Sequence, residues 1–329
     1  MANSQAIERE EIWFDSADGT SRIHGYIWWP EGMGPDAAAD DPWAAVVKPR
    51  GVVQLVHGMA EHIGRYDDFA RFLAAHGLVV CGHDHLCHGG SSTPDRWGKL
   101  PLKTGKNILV GDVGRMRGII HDKLPEGTPH FVFGHSMGSF VVRSYIARDG
   151  KGLAGAIICG TGHVPPATSS MGNLVCKMVA TFKGEDTVSG LIEGMGVGAY
   201  AKAIKDARTP LDWLSFNEDN VNTYIADEAC GFSFSAGGYA TVTALTREVC
   251  DPACCVRVPA ELPLLYIAGE GDPVGSMGEG VRTAAKMARD AGSKDVTCTI
   301  YEGMRHEILN ETDHQKVYDD VLAWIDERI

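Results

Sequence analysis

The run Gly134-His135-Ser136-Met137-Gly138 sets a serine between two glycines. In a sharp strand-to-helix turn such a serine is exposed and strained, and neighbouring side chains would clash, so small residues are needed on both sides. The surroundings fit: residues 130–133 read as an apolar strand, and a helical pattern begins near Ser139. A helix N-terminus also favours negative charge developing beside it. A glycine-rich turn with a chance serine is the competing reading. A serine hydroxyl becomes a useful nucleophile only when a base takes its proton. His306 follows the strand pattern of residues 296–301 through a short loop, whereas its rival His314 falls where the last helix starts. The base in turn needs an acid that fixes its tautomer. Asp272, in Gly269-Glu270-Gly271-Asp272-Pro273, is the candidate and Glu270 the rival; Asp272 also suits a turn before proline. A tetrahedral oxyanion would require two backbone N–H donors. Met137 supplies one, and Met59, in His57-Gly58-Met59-Ala60-Glu61-His62, is the candidate for the other. Together these residues would perform acyl transfer through a covalent intermediate on Ser136.

The elements that must position them are visible in the periodicity. Residues 11–15 and 23–29 flank the turn Ala17-Asp18-Gly19-Thr20, as a hairpin would. Residues 32–49 read as an exposed loop. Short apolar runs at 52–56, 78–81, 130–133, 153–159, 262–268 and 296–301 alternate with helical stripes, among them Leu109, Val113, Met116, Ile120 and Leu124. That rhythm predicts a mostly parallel sheet flanked by helices. It stops between 163 and 251. There Met171, Leu174, Val175, Met178, Val179 and Phe182 suggest one amphipathic helix, and glycines and aromatics then mix irregularly. The expected organisation is a core in two parts, 1–162 and 252–329, with a mainly helical cap, 163–251, inserted between them. Met171, Met178, Met195, Trp213, Phe216, Phe232 and Phe234 are candidates to line an apolar channel in that cap, or to form its own core.

The chain has 329 residues, 44% of them hydrophobic and 22% charged, which suits a globular protein large enough for a sizeable core. The net charge of −13 argues against nucleic acid as a partner and gives no attraction to anionic lipid. Residues 1–14 are polar and acidic and do not read as a signal peptide, and no stretch approaches a membrane span. Nine scattered cysteines suggest free thiols and a cytoplasmic protein. Oligomeric state is not readable.

Three other patterns invite metal or nucleotide readings. His83-Asp84-His85-Leu86-Cys87-His88 is dense in zinc-type ligands, but beside the serine motif it reads better as a hydrogen-bonded loop near the sheet edge. Cys250, Cys254 and Cys255 have no partner pair at ligand spacing. Gly269-x-Gly271 lacks a third glycine at the right place, and Glu270 and Asp272 would repel a pyrophosphate. No cofactor or metal is expected.

Four runs together resemble the monoacylglycerol lipases and the related lysophospholipase and serine-aminopeptidase group. They are His57-Gly58-x-x-Glu61-His62-x-Gly64-Arg65-Tyr66, Asp84-His85-x-x-His88-Gly89-x-Ser91, Gly134-His135-Ser136-Met137-Gly138 and Gly271-Asp272-Pro273-Val274. The resemblance covers residues 51–162 and 262–329. It implies the α/β-hydrolase fold, a Ser136–Asp272–His306 triad in the chain order of that fold, no cofactor, and cleavage of monoacylglycerol or another single-chain acyl ester. An aminopeptidase, amidase or thioesterase would use the same triad, and Glu185, Asp186, Glu193, Glu218, Asp219, Asp227 and Glu228 could meet a substrate amine or simply face solvent. A non-catalytic binding protein on this fold is the remote alternative. The cap has no strongly basic amphipathic helix, so at most weak membrane contact through it is expected. Where the family run reads Asp-His-Arg-Gly-His-Gly, this chain has Leu86 and Cys87 in place of the Arg and Gly, which adds a side chain to a tight turn.

Overall fold

The computed structural model describes residues 7–34 and 48–329. Most of the loop expected over 32–49, and the first residues of the chain, lie outside the described residues. Eight strands form one sheet: β1 (Glu8–Asp15), β2 (Arg22–Trp29), β3 (Gly51–Val56), β4 (Leu78–His83), β5 (His130–His135), β6 (Gly155–Cys159), β7 (Leu264–Gly269) and β8 (Val296–Tyr301). Their spatial order is β1-β2-β4-β3-β5-β6-β7-β8. The pairs β1/β2 and β2/β4 are antiparallel, and from β4 to β8 every pair is parallel. The hairpin and the strand–helix alternation of the sequence are therefore both present.

Alternation along the strands decides the two faces. Val53, Leu55, Phe131 and Phe133 point to one face, where they meet Phe69 and Leu73 of α1 (Asp67–Ala75) and Val317, Val321 and Trp324 of α11 (His314–Asp326). Val52, Val56 and Val132 point to the other. They meet α2 (Gly105–Lys123), α3 (Met137–Asp149) and α10 (Glu279–Asp290) through Leu109, Val113, Val141, Val142, Val281 and Ala284. Because the strands β3 to β8 run the same way, the loops after them emerge along one edge, the place where open α/β sheets bind their ligands.

Between β6 and β7 the chain forms α4 (Pro166–Lys183), α5 (Gly190–Met195), α6 (Val197–Ala203), a 3-10 turn at Asp212–Leu214, α7 (Glu218–Ala226), α8 (Ala236–Val249) and α9 (Pro252–Cys255). The helix read from Met171 to Phe182 exists as α4, with Val175 and Val179 half-buried against the core, but its largest apolar residues do not face inward. Met171 is 64% exposed, Phe182 84%, and Leu174 and Met178 are exposed as well. The inner side of α4 meets α8 through small and polar residues. Ser169 Oγ lies 3.1 Å from Thr246 Oγ1, and Asn173 Nδ2 donates to the Ala240 carbonyl and to Thr243 Oγ1. Cys176 and Ala180 are buried there. Two helices this close leave no room for methionine or phenylalanine between them, so these were forced outward. Among the described residues, no helix is long and apolar enough to cross a membrane.

Candidate active site

Ser136 ends β5 and begins α3, with φ 53° and ψ −120°. That is outside the regions open to ordinary L-residues. The turn is fixed by Ser136 N–H donating to the Cys159 carbonyl on β6, and by Ser139 N–H and Oγ both donating to the Ser136 carbonyl. The need for glycine is steric. A Cβ on Gly138 would stand 2.0 Å from the Val56 carbonyl oxygen, and one on Gly134 would stand 2.4 Å from the Gly138 carbonyl oxygen. Met137 opens α3, so its N–H falls in the first turn, where helical N–H groups have no partner inside the helix.

The loop after β7 carries Asp272 and the loop after β8 carries His306. His306 Nδ1 lies 3.0 Å from Asp272 Oδ2, with both side chains buried. Asp272 Oδ1 accepts the Val274 N–H, which fixes the carboxylate plane. With Nδ1 donating to Asp272, the other ring nitrogen, Nε2, is free to accept a proton. The ring is held between His135, 4.6 Å away, and Trp213, 5.1 Å away. Glu270, the rival acid, is exposed, and His314 sits at the start of α11 bonded to the Glu311 carbonyl.

The loop from His57 to His62 brings Met59 to the same place. Gly58 N–H donates to Glu61 Oε1 at 2.5 Å, and Tyr66 OH donates to the same oxygen. Arg65 Nη1 bridges Glu61 Oε2 and Glu307 Oε1, at 2.7 and 2.6 Å, and its Nη2 donates to Glu307 Oε2. Burial alone would raise the Glu61 carboxyl, but His135 and Arg65 hold it well below the usual carboxylate range. Glu307 is lowered too, against the same burial, by Arg65. His135 adjoins the same carboxylate. Burial disfavours its imidazolium, yet Glu61, 3.5 Å from Nδ1, raises its pKa. His135 Nε2 donates to the His306 carbonyl. Of this cluster the sequence reading named Glu61, Arg65, Tyr66 and His135 only as members of motifs, and Glu307 not at all. Glu307 stands next to His306, and Arg65 belongs to the run after Gly58, yet nothing in the sequence pairs them.

The histidine-rich run after β4 forms a hydrogen-bonded loop. Asp84 accepts the N–H groups of Ile63 and Gly90 and the Nδ1–H of His24. His85 N–H donates to His57 Nε2, and the His57 and His85 ring centroids lie 4.3 Å apart with their planes tilted by 50°. Cys87 adopts φ 60°, a left-handed conformation that favours glycine. The residue substituted for the family glycine is thus strained in place, with its thiol donating to the Lys99 carbonyl. Among the described residues, His62, Asp227 and Cys230 bring ligand-type atoms within 4.8 Å of one another. His62 has Nε2 donating to Asp227 and Nδ1 accepting from Gly64, so both ring nitrogens are already engaged.

Ser136, Met59, Met137 and His306 all line one pocket of about 830 Å³, partly open to solvent. Its walls are mainly apolar: Phe140, Val197, Leu211, Trp213, Leu214, Phe232 and Val242. Of the seven aromatics and methionines read as lining a channel or forming the cap's own core, Trp213 and Phe232 line the pocket. Met171, Met178, Met195 and Phe216 are instead exposed, and Phe234 is buried behind Phe232. Residues such as Val197, Leu211 and Val242 were missed, because small aliphatics without a clear period carry no signal of where they point.

An eight-stranded, mostly parallel sheet with a serine at a strained strand-to-helix turn, above a buried His–Asp pair, is an α/β-hydrolase. Within that class the chain belongs to the serine aminopeptidase S33 family (Hydrolase_4), whose model matches residues 47–313. It is 29% identical over 295 residues to a monoacylglycerol lipase of Mycolicibacterium smegmatis, covering 89% of this chain and 94% of that one. It is 24% identical to the human monoglyceride lipase, covering 87% and 86%. A thermostable carboxyl esterase of Bacillus coagulans, solved with glycerol, superposes with a TM-score of 0.86 at 29% identity, covering 97% of this chain and 98% of that one.

Proposed function

We infer that this hydrolase cleaves monoacylglycerol or another single-chain acyl ester. Ser136 is the nucleophile, His306 the base and Asp272 its acid, and residues 163–251 form a cap over a core made of 1–162 and 252–329. The observation that carries the reading is the His306–Asp272 pair, opening into an apolar pocket that Ser136 also lines. Ser136 Oγ attacks the ester carbon while His306 Nε2 takes its proton. Asp272 keeps the imidazole in the correct tautomer and stabilises the imidazolium. The N–H groups of Met59 and Met137 hold the oxyanion. The tetrahedral adduct collapses, the glycerol oxygen leaves with the proton from His306, and water repeats the sequence to release the fatty acid. The apolar walls and the names of the relatives favour an acyl ester over an aminoacyl amide. Glu193, the acidic cap residue among the walls, already accepts a hydrogen bond from Ser233 Oγ.

The substrate is amphiphilic, and the outside of the cap suits a lipid surface. Seven of the thirteen exposed large apolar side chains among the described residues fall between Met171 and Met195. A patch of that density marks an interaction face. The net charge of −13 means that contact would be apolar and weak. Nine free thiols suit a reducing, cytoplasmic setting.

The test is acid release from short- and long-chain monoacylglycerols, a lysophospholipid, an acyl thioester and an aminoacyl amide, by wild type and Ser136→Ala. Preference for a monoacylglycerol, abolished in the variant, is the expected result. Preference for the amide or thioester would overturn the substrate assignment, and turnover retained by Ser136→Ala would overturn the nucleophile.

A further inference from the structure

The second half of the cap does more than wall the pocket. Ala60 follows Met59 and has φ 55°, a conformation that an alanine keeps only when its surroundings impose it. The restraint comes from the cap. Tyr224 OH, on α7, donates to the Ala60 carbonyl at 2.7 Å, and Gly231 N–H donates to the same oxygen at 2.9 Å. Asp227, between them, accepts from His62 Nε2 at 2.9 Å, two residues further along the same loop. On the other side of Met59, Gly58 N–H is held by Glu61. Met59 is thus clamped between a core anchor before it and a cap anchor after it.

The same stretch of cap also grips the His306 loop. Asn220 Nδ2 donates to Glu307 Oε2 at 2.6 Å, and Glu307 N–H donates to the Leu214 carbonyl at 2.7 Å. Arg305 donates to the Asp212 carbonyl, and Glu311 accepts the N–H groups of Phe216 and Asn217.

We propose that the cap segment from Asp212 to Gly231 is a positioning element for catalysis. Through Tyr224 it aims the Met59 N–H at the oxyanion, while the exposed apolar half of the cap, α4 and α5, serves substrate access. This rests on the reading of Met59 as an oxyanion donor. A hydroxyl 2.7 Å from a carbonyl whose residue is otherwise strained contributes about one hydrogen bond, which corresponds to roughly a tenfold change in rate if it is felt only in the transition state.

The experiment uses the full chain and p-nitrophenyl acetate, whose acyl group is too short to need the cap's apolar walls. Tyr224→Phe keeps the ring and its stacking under Arg65 and removes only the hydroxyl. The expected result is a roughly tenfold fall in kcat with KM within twofold, and a parallel loss of affinity for a trifluoromethyl ketone, which forms the tetrahedral adduct. Asp227→Asn, on the cap surface, guards against a folding defect and should give a smaller loss, also in kcat alone. Unchanged kcat on the acetate in both variants would overturn the proposal, as would an effect confined to KM for long-chain monoacylglycerol, the signature of a mere wall. Fluorophosphonate labelling of the wild type separates the two levels. An unlabelled Ser136 would defeat the underlying triad, whereas a labelled Ser136 with unchanged Tyr224→Phe kinetics would defeat only the positioning role.

Discussion

Replacing Ser136 in two ways should separate the backbone strain at this position from the chemistry of its hydroxyl. At φ 53° and ψ −120° the serine occupies a conformation that costs a residue bearing a Cβ about 1–3 kcal/mol. Ser136→Ala removes the hydroxyl but keeps the Cβ, so the strain remains. Ser136→Gly removes both. Glycine then loses about 0.4–1 kcal/mol through the greater freedom of its unfolded chain. At mid-range values, about 2 less about 0.7, the glycine variant is more stable than the alanine variant by about 1.3 kcal/mol, a shift of roughly 2 °C in Tm for a chain of this size. Urea unfolding followed by tryptophan fluorescence, with seven tryptophans as reporters, resolves such a gap. Both variants should lack turnover. If Ser136→Gly proves equal to or less stable than Ser136→Ala, the backbone at the turn is not strained, and the reading of Ser136 as a strained residue fails.

Other outcomes follow from the same structure. Asp272→Asn should lower kcat by about 10³–10⁴-fold by leaving His306 in the wrong tautomer, with little change in KM, measured on a soluble ester. Gly138→Ala drives a methyl into the Val56 and His57 carbonyls; a shift of Ser136 of the order of 1 Å should cost at least about 100-fold in kcat. The protein should also be acid-labile. Burial pushes His83, His88 and His130 down to about 3. These histidines stay neutral when folded and charge when unfolded, so the stability they confer is full above pH 6.5 and is lost as pH falls toward 3. At pH 5.5 each has forfeited about 1.4 kcal/mol, or about 4 kcal/mol for the three. His24 and His135, both raised by neighbouring carboxylates against their burial, oppose part of this. His130→Leu should remove about 1.4 kcal/mol from the stability difference between pH 7.5 and 5.5, whatever its own cost. An identical pH slope in wild type and variant would contradict the assignment.

Much of the core was legible because its signals are local. The strand at 296–301 coincides with β8, and Gly77, with φ 82°, closes α1 where the helical stripe ends. The serine motif could be read because strand, turn and helix are contiguous, and the chain order of Ser136, Asp272 and His306 could be read because each follows a strand. What the chain alone determined, then, was which segments are strands and helices and which loops carry reactive groups, since periodicity and turn chemistry act within a few residues. The tertiary structure decided everything that depends on which segments meet. It set Asp272 against His306 and left Glu270 in solvent. It turned Met171, Leu174, Met178 and Phe182 of α4 outward, because a hydrophobic period tells that a helix has two faces and not which of them a neighbour covers. It joined Arg65 to Glu307 across 242 positions and Tyr224 to Ala60 across 164. Such contacts leave no periodic trace, because their partners are brought together only by the folding of the sheet beneath them.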